Sequence, residues 1–198
     1  MTLKKGMKDE PHDHPAHYMY ILNGGTVKIT GAPVGDFTKG EFKVLPLNTG
    51  DGMVMPPGCH QVENVGDTDV EVLFLEVGAQ SGDTPANHIA AHETDACHYK
   101  ILAEDDNWMV VKMDIKAGAC DHAHSHREHV VYVLNETEAQ LSIWGDMEGK
   151  GRDFTAEGDA NMVVGIKNGM VLPVPTGFHI VKNTGETDAS CVFFERKR

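Results

Sequence analysis

Three histidines fall within six residues in "HDHPAH" (His12, His14, His17), and three more recur at the same spacing in "HSHREH" (His124, His126, His129). Residues two apart on a strand project to one face, so His12 and His14 share a face, as do His124 and His126. The third histidine of each set lies three positions on, where a bend or change of strand can return it to the same space. His60 and His179 each follow a Pro-x-Gly turn, which can deliver a ring to a fixed place on a neighbouring strand. Three or four convergent imidazoles make a good site for a borderline divalent transition metal, because neutral imidazole binds Zn, Fe, Cu and Ni well.

The spacing belongs to a larger repeat. Residues 1–23, "MTLKKGMKDEPHDHPAHYMYILN", align without a gap on residues 113–135, "MDIKAGACDHAHSHREHVVYVLN". His12, His14 and His17 fall on His124, His126 and His129, and Gly6 on Gly118. Residues 50–76, "GDGMVMPPGCHQVENVGDTDVEVLFLE", align with residues 169–195, "GMVLPVPTGFHIVKNTGETDASCVFFE". That match pairs Gly50, His60, Asn64, Phe74 and Glu76 with Gly169, His179, Asn183, Phe193 and Glu195. The chain is an internal duplication.

The elements that position these residues read as β throughout. "YMYIL", "VVYVL", "VEVLFLEV" and "SCVFFE" are short aromatic and β-branched runs, and "NTGDG", "NVGDTD" and "NTGETD" are turn clusters. Helical character is confined to a weak pattern around "ANHIAAHETDA". Many short strands with frequent turns predict a sandwich or barrel in each copy. The "GAQSGDTPANH" stretch, residues 78–88, reads as the joint. The expected organisation is one barrel over 1–80, a linker over 81–98 that can complete a barrel edge, and a second barrel over 99–198. The second copy is preceded by enough chain for extra strands, whereas the first begins almost at its histidines. An uncovered edge there calls for a segment of the linker, the other copy or a partner chain, which favours a homodimer.

Composition narrows the partners. A formal net charge of −13 over 198 residues opposes nucleic-acid binding, which needs clustered Lys and Arg, while leaving room for metal ions. No stretch has the length and apolarity of a membrane span, and the N-terminus lacks the apolar core of a secretory signal. Cys59, Cys97, Cys120 and Cys191 form no CxxC pair and fit reduced thiols, so the expected compartment is the cytoplasm.

Gly6-x5-His12-x-His14 and Gly118-x5-His124-x-His126 resemble the first motif of the cupin family. Gly50-x5-Pro56-x-Gly58-x-His60-x3-Asn64 and Gly169-x5-Pro175-x-Gly177-x-His179-x3-Asn183 resemble its second. The resemblance covers nearly the whole chain and implies a small all-β bicupin, two tandem jelly-roll barrels. It also implies metal ligands from the first-motif histidines, a glutamate and the second-motif histidine. Here His17 and His129 occupy the glutamate position, which suggests two four-histidine sets: His12, His14, His17 and His60, and His124, His126, His129 and His179. Glu128, beside His129, is an alternative ligand in the second set. Each barrel would hold up to one divalent Fe, Mn, Ni or Zn ion.

Two function classes follow. The first is a metal-dependent enzyme of dioxygenase, isomerase or lyase type acting on a small polar or anionic metabolite. The second is a non-catalytic bicupin that binds or senses a small molecule or the metal itself, with one or both sites structural. His122 permits another register, with His124 and Glu128, but the repeat places Glu10 opposite it, which favours a loop or pocket-rim role. His88, His92 and His98 are expected at the surface. Cys59 and Cys120 have no cysteine counterparts across the repeat and read as small packing residues.

Overall fold

The structure is a computed structural model of the 198-residue chain that describes residues 1–77, 88–146 and 155–197. Most of the expected joint, 78–87, and part of the Gly-rich insertion of the second copy, 147–154, lie outside the described residues. The chain divides into two compact units, Met1–Gln80 and Ser81–Arg198.

The first unit is built from β1 (Thr2–Leu3), β2 (His12–His14), β3 (His17–Asn23), β4 (Gly25–Gly31), β5 (Phe42–Leu47), β6 (Gly52–Met55), β7 (Gly58–Asn64) and β8 (Val70–Glu76). They form two antiparallel sheets, ordered β1-β8-β3-β6 and β2-β7-β4-β5. Strand β4 shows why these sequences make a sandwich: Val27 and Ile29 are buried, and Lys28 between them is not. The period of two puts one face of each sheet in a shared core. That core joins Met19, Ile21, Val27, Ile29, Met55, Val70 and Val72, drawn from both sheets.

The second unit comprises α1 (Ala91–Thr94), β9 (Tyr99–Glu104), β10 (Trp108–Ile115), β11 (His124–His126), β12 (His129–Val133), β13 (Ala139–Asp146), β14 (Met162–Ile166), β15 (Val171–Val174), β16 (Gly177–Asn183) and β17 (Ala189–Arg196). Its sheets run β15-β12-β17-β10-β9 and β11-β16-β13-β14. Strand for strand, β10–β17 reproduce β1–β8, and β9 is additional. The weak helical pattern becomes the single turn α1, which has no side-chain cap.

Two matched positions of the repeat are architectural. Gly50 and Gly169 turn the chain at φ values of +93° and +83°, a region that side chains with a Cβ avoid. Asn64 and Asn183 are buried, and each ties one turn to the strand that flanks the last strand of its unit. The Asn64 amide donates to Leu3 O (2.9 Å) and Thr68 O (2.8 Å), and that of Asn183 to Ile115 O (3.0 Å) and Thr187 O (2.8 Å). The matched Asn therefore anchors β1 or β10 beside the last strand and lies outside both histidine clusters.

The copies differ at their edges. Strand β10 covers β17 from Ala189 to Arg196, whereas β1 covers β8 only at Val70 and Glu71, with the Met1 ammonium reaching Val72 O at 2.7 Å. On that side Leu73–Glu76 has no partner strand among the described residues. In the second unit the end of the linker is built in. Ile89 exchanges bonds with Ser125, donating to its Oγ (2.8 Å) and accepting from its N–H (2.8 Å), and Ala90 bridges Ser125 in parallel. The expected surface positions are corrected accordingly. His88 is half-buried, bonding Ser125 Oγ at 2.8 Å, while His98 bonds Asp95 at 2.9 Å. His92 is also only partly exposed.

Candidate metal centres

Pairing of the short histidine strands with their neighbours assembles each site. In the first unit β2 pairs with β7 so that His12 faces His60 and His14 faces Gly58. In the second, His124 faces His179 and His126 faces Gly177. The glycine ending each Pro-x-Gly turn therefore starts the strand opposite the second histidine, which sets the third histidine two residues on. Potential ligand atoms of His12, His14 and His60 all lie within 4.8 Å of one another, as do those of His124, His126 and His179.

His17 and His129 open the adjoining strands β3 and β12 and flank these triads. His17 stands 4.7 Å from His14 and 6.4 Å from His60, centroid to centroid, and His129 stands 4.5 Å from His126. The tight clusters thus hold three histidines, with the fourth beside the middle one. Glu128 is exposed and belongs to neither cluster; its backbone carbonyl accepts from Arg196 N–H. His122 is turned outward, to Asp95, and Cys59 and Cys120 are outside both triads.

Six rings are held from behind through Nδ1. His12 donates to Glu10 O (2.6 Å), His17 to Pro15 O (3.0 Å), His124 to His122 O (2.7 Å) and His129 to Arg127 O (2.8 Å). His14 donates to the Glu76 carboxylate and His126 to that of Glu195 (2.7 Å). A carbonyl or carboxylate can only accept, so each Nδ1 carries the proton and each neutral ring presents a bare Nε2. Burial pushes the pKa of His126 and His179 well below the ordinary value, and lowers those of His17, His60, His124 and His129. Nε2 of His124 and His126 lie 3.0 Å apart. Two facing acceptors that burial keeps from protonating suit a cation between them, so the donor set fits a divalent transition metal.

No family model and no curated protein matches the chain. Solved structures do. AerE from Microcystis aeruginosa matches with a TM-score of 0.63 at 14% identity, over 100% of this chain and 85% of that one. Oxalate decarboxylase from Bacillus subtilis, described with Mn(II) centres, matches with a TM-score of 0.59 at 13% identity, over 99% and 67%. Procruciferin, an 11S globulin from Brassica napus, matches with a TM-score of 0.60 at 12% identity, over 98% and 74%. The chain has the bicupin fold. That fold carries an enzyme and a globulin alike, so the site must be argued from its own residues.

Two site residues of this bicupin were not singled out from the sequence. Glu76 and Glu195 end the last strand of each copy, and each fixes the middle histidine of its triad. The signal was present in the repeat, where these glutamates match as the histidines do, but lay more than 60 residues from the ring each one holds. Burial raises the pKa of Glu195, while His129 and the Arg127 amide, which donates to it at 3.0 Å, hold it down. A carboxylate behind a ligand histidine fixes its tautomer and raises its basicity. Glu195→Gln is therefore expected to weaken metal binding at the second centre by about 10- to 100-fold, measured by competition with a chelator. Unchanged affinity would show that Glu195 only packs the strand.

Asp9 and Asp121, also matched, fasten the lead-in to each histidine strand. They accept from Val62 N–H at 2.6 Å and Val181 N–H at 2.7 Å. Asp121 has in addition the Tyr99 hydroxyl at 2.6 Å, and burial pushes its pKa up to about 7.

Each cluster opens onto a small cavity inside its own barrel. The first is about 50 Å³, bounded by His17 and His60 and by Met19, Met53, Met55 and Phe74 among others. The second is about 90 Å³, bounded by His126, His129 and His179 and by side chains such as Tyr99, Leu141 and Phe193. Among the described residues, no Lys or Arg lines either one.

Proposed function

We propose that this bicupin is a metal-dependent enzyme holding one divalent transition metal per barrel and acting on a small, weakly polar molecule. The observation that carries the reading is the cluster of rings held at Nδ1, repeated in both copies beside an apolar cavity, with the bare Nε2 atoms of His124 and His126 facing each other in the second. His12, His14 and His60, flanked by His17, would hold one ion, and His124, His126 and His179, flanked by His129, the other. A bound ion supplies Lewis acidity and, for Fe or Mn, dioxygen chemistry.

The chain's own groups turn the reading away from the polar or anionic metabolite expected from the sequence. Without a Lys or Arg side chain in the described lining, little but the ion would hold an anion, while apolar walls favour a compact neutral molecule. Glu76 and Glu195 are committed to His14 and His126 and are poorly placed as bases. Dioxygenase-type chemistry fits this arrangement better than isomerisation or lyase chemistry that begins with proton abstraction.

One observation favours the alternative of a structural second centre. His124 and His126 are almost wholly enclosed, and Ile89 and Ala90 lie along the strand that carries them. Elemental analysis of protein purified without a tag or added metal, beside His60→Ala and His179→Ala, tests the reading. Each variant is expected to carry one equivalent less Fe, Mn or Ni than wild type. Equal metal in all three proteins, or none after reconstitution, would overturn it.

A further inference from the structure

Away from both barrels' clusters, "DACH" follows the single turn α1 and brings Asp95, Cys97 and His98 together. The turn is fixed by backbone bonds: Asp95 N–H donates to Ala91 O (2.8 Å), and the N–H groups of His98 and Tyr99 donate to Asp95 O (both 3.0 Å). Asp95 Oδ1 then meets Cys97 Sγ at 2.7 Å and His98 Nδ1 at 2.9 Å, while Sγ and Nδ1 are 3.5 Å apart. The other carboxylate oxygen accepts from both the backbone N–H (3.0 Å) and Nδ1 (3.0 Å) of His122. The Asp95 side chain is wholly buried, and its described partners are imidazoles, a thiol and an amide, with no Lys or Arg. Burial works against its charge, but the bonds from Cys97, His98 and His122 outweigh burial and hold its pKa at about 2.

We propose that Asp95, Cys97 and His98 form a third metal site, for a zinc-class divalent ion, with His122 orienting the carboxylate from its far oxygen. The potential ligand atoms of the three lie within 4.8 Å of one another. In a tetrahedral site with metal–sulfur and metal–nitrogen bonds of about 2.3 and 2.0 Å, a sulfur–nitrogen edge is about 3.5 Å, the separation found here. The two edges to Asp95 are shorter because protons now bridge them, and replacing those protons by an ion would open each by less than about 1 Å. A divalent ion would displace the Cys97 proton to solvent and the His98 Nδ1 proton to that ring's Nε2, and would balance the negative charges of the thiolate and the Asp95 carboxylate. One thiolate, one imidazole and one carboxylate suit Zn or Co better than Mg or Ca, and leave a coordination position to water. The site would fasten the start of the second unit to the segment entering β11, independently of what the barrels bind.

Cobalt(II) titration of the metal-free full chain, followed by absorbance, separates this site from the all-imidazole clusters. A saturable sulfur-to-cobalt charge-transfer band in the near ultraviolet is expected in wild type. It should persist in the His60→Ala/His179→Ala double variant, disappear in Cys97→Ser and need about tenfold or more cobalt in His98→Ala. Cys97 is exposed, so the serine variant removes little packing. Absence of the band in wild type, or its survival in Cys97→Ser, overturns the proposal. Neither result bears on the barrel centres, whose test is the metal content of the His60 and His179 variants.

Discussion

Metal-free protein is expected to unfold, in its second unit, about 10 °C or more below the loaded protein. The reason lies in the enclosure of its histidines. With Nδ1 of His124 and His126 bonded behind, their Nε2 lone pairs face each other at 3.0 Å. Water could not relieve that contact, since both rings are almost wholly buried, and a proton is disfavoured because burial lowers the pKa of each. A ligand that binds only the folded state at about a thousand times its dissociation constant stabilises it by about 4 kcal/mol. In a unit of this size that moves the midpoint by tens of degrees at most and about 10 °C at least. Calorimetry with and without chelator measures it, and the same scan on Cys97→Ser removes any share from the third site. An unchanged midpoint would mean that the buried pair is satisfied without a cation.

What the sequence disclosed, and what it withheld, follows from the range of each interaction. The duplication, the all-β character and the eight histidines were legible because they are local patterns: a period of two, an HxHxxH spacing, a Pro-x-Gly turn. The Pro-x-Gly turns pointed to a ring on a neighbouring strand; the register that sets His60 against His12 and His179 against His124 came only with the structure. The division of the four-histidine sets into a tight triad and a flanking ring was not legible. It depends on His17 and His129 beginning strands of the other sheet, a tertiary relation. Glu76 and Glu195 were hidden by the same distance in sequence. His88 and His98 were read as surface groups because a polar linker normally is one, whereas pairing of Ile89 with Ser125 draws the linker's end onto the barrel. The apolar lining was withheld because residues from many strands converge on it, and no single stretch displays the absence of Lys and Arg.

The two centres should differ sharply in how fast a chelator empties them, the first losing its metal about 100-fold sooner than the second. Their ligand sets are near copies, so the difference comes from cover. In the first unit the side chains of His12, His14 and Glu76 keep 33%, 19% and 48% of their exposure. In the second, those of His124, His126 and Glu195 keep 0%, 2% and 3%, and only the third ligands run the other way, His60 buried and His179 partly exposed. Residues 88–90 lie along β11, held by both bonds between Ile89 and Ser125 and by that of His88 to Ser125 Oγ. For chelator to enter, that segment must lift, and a local opening costing about 3 kcal/mol slows exchange by about two orders of magnitude. Single-centre proteins make the comparison direct, because His179→Ala reports the first centre and His60→Ala the second. Ser125→Ala, which removes the Oγ bonds to Ile89 and His88 while leaving every imidazole in place, should speed release from the second centre alone. Equal rates in the single-centre proteins would show that enclosure does not govern exchange. Ser125→Ala releasing no faster would move the barrier from the linker's end to the barrel wall itself.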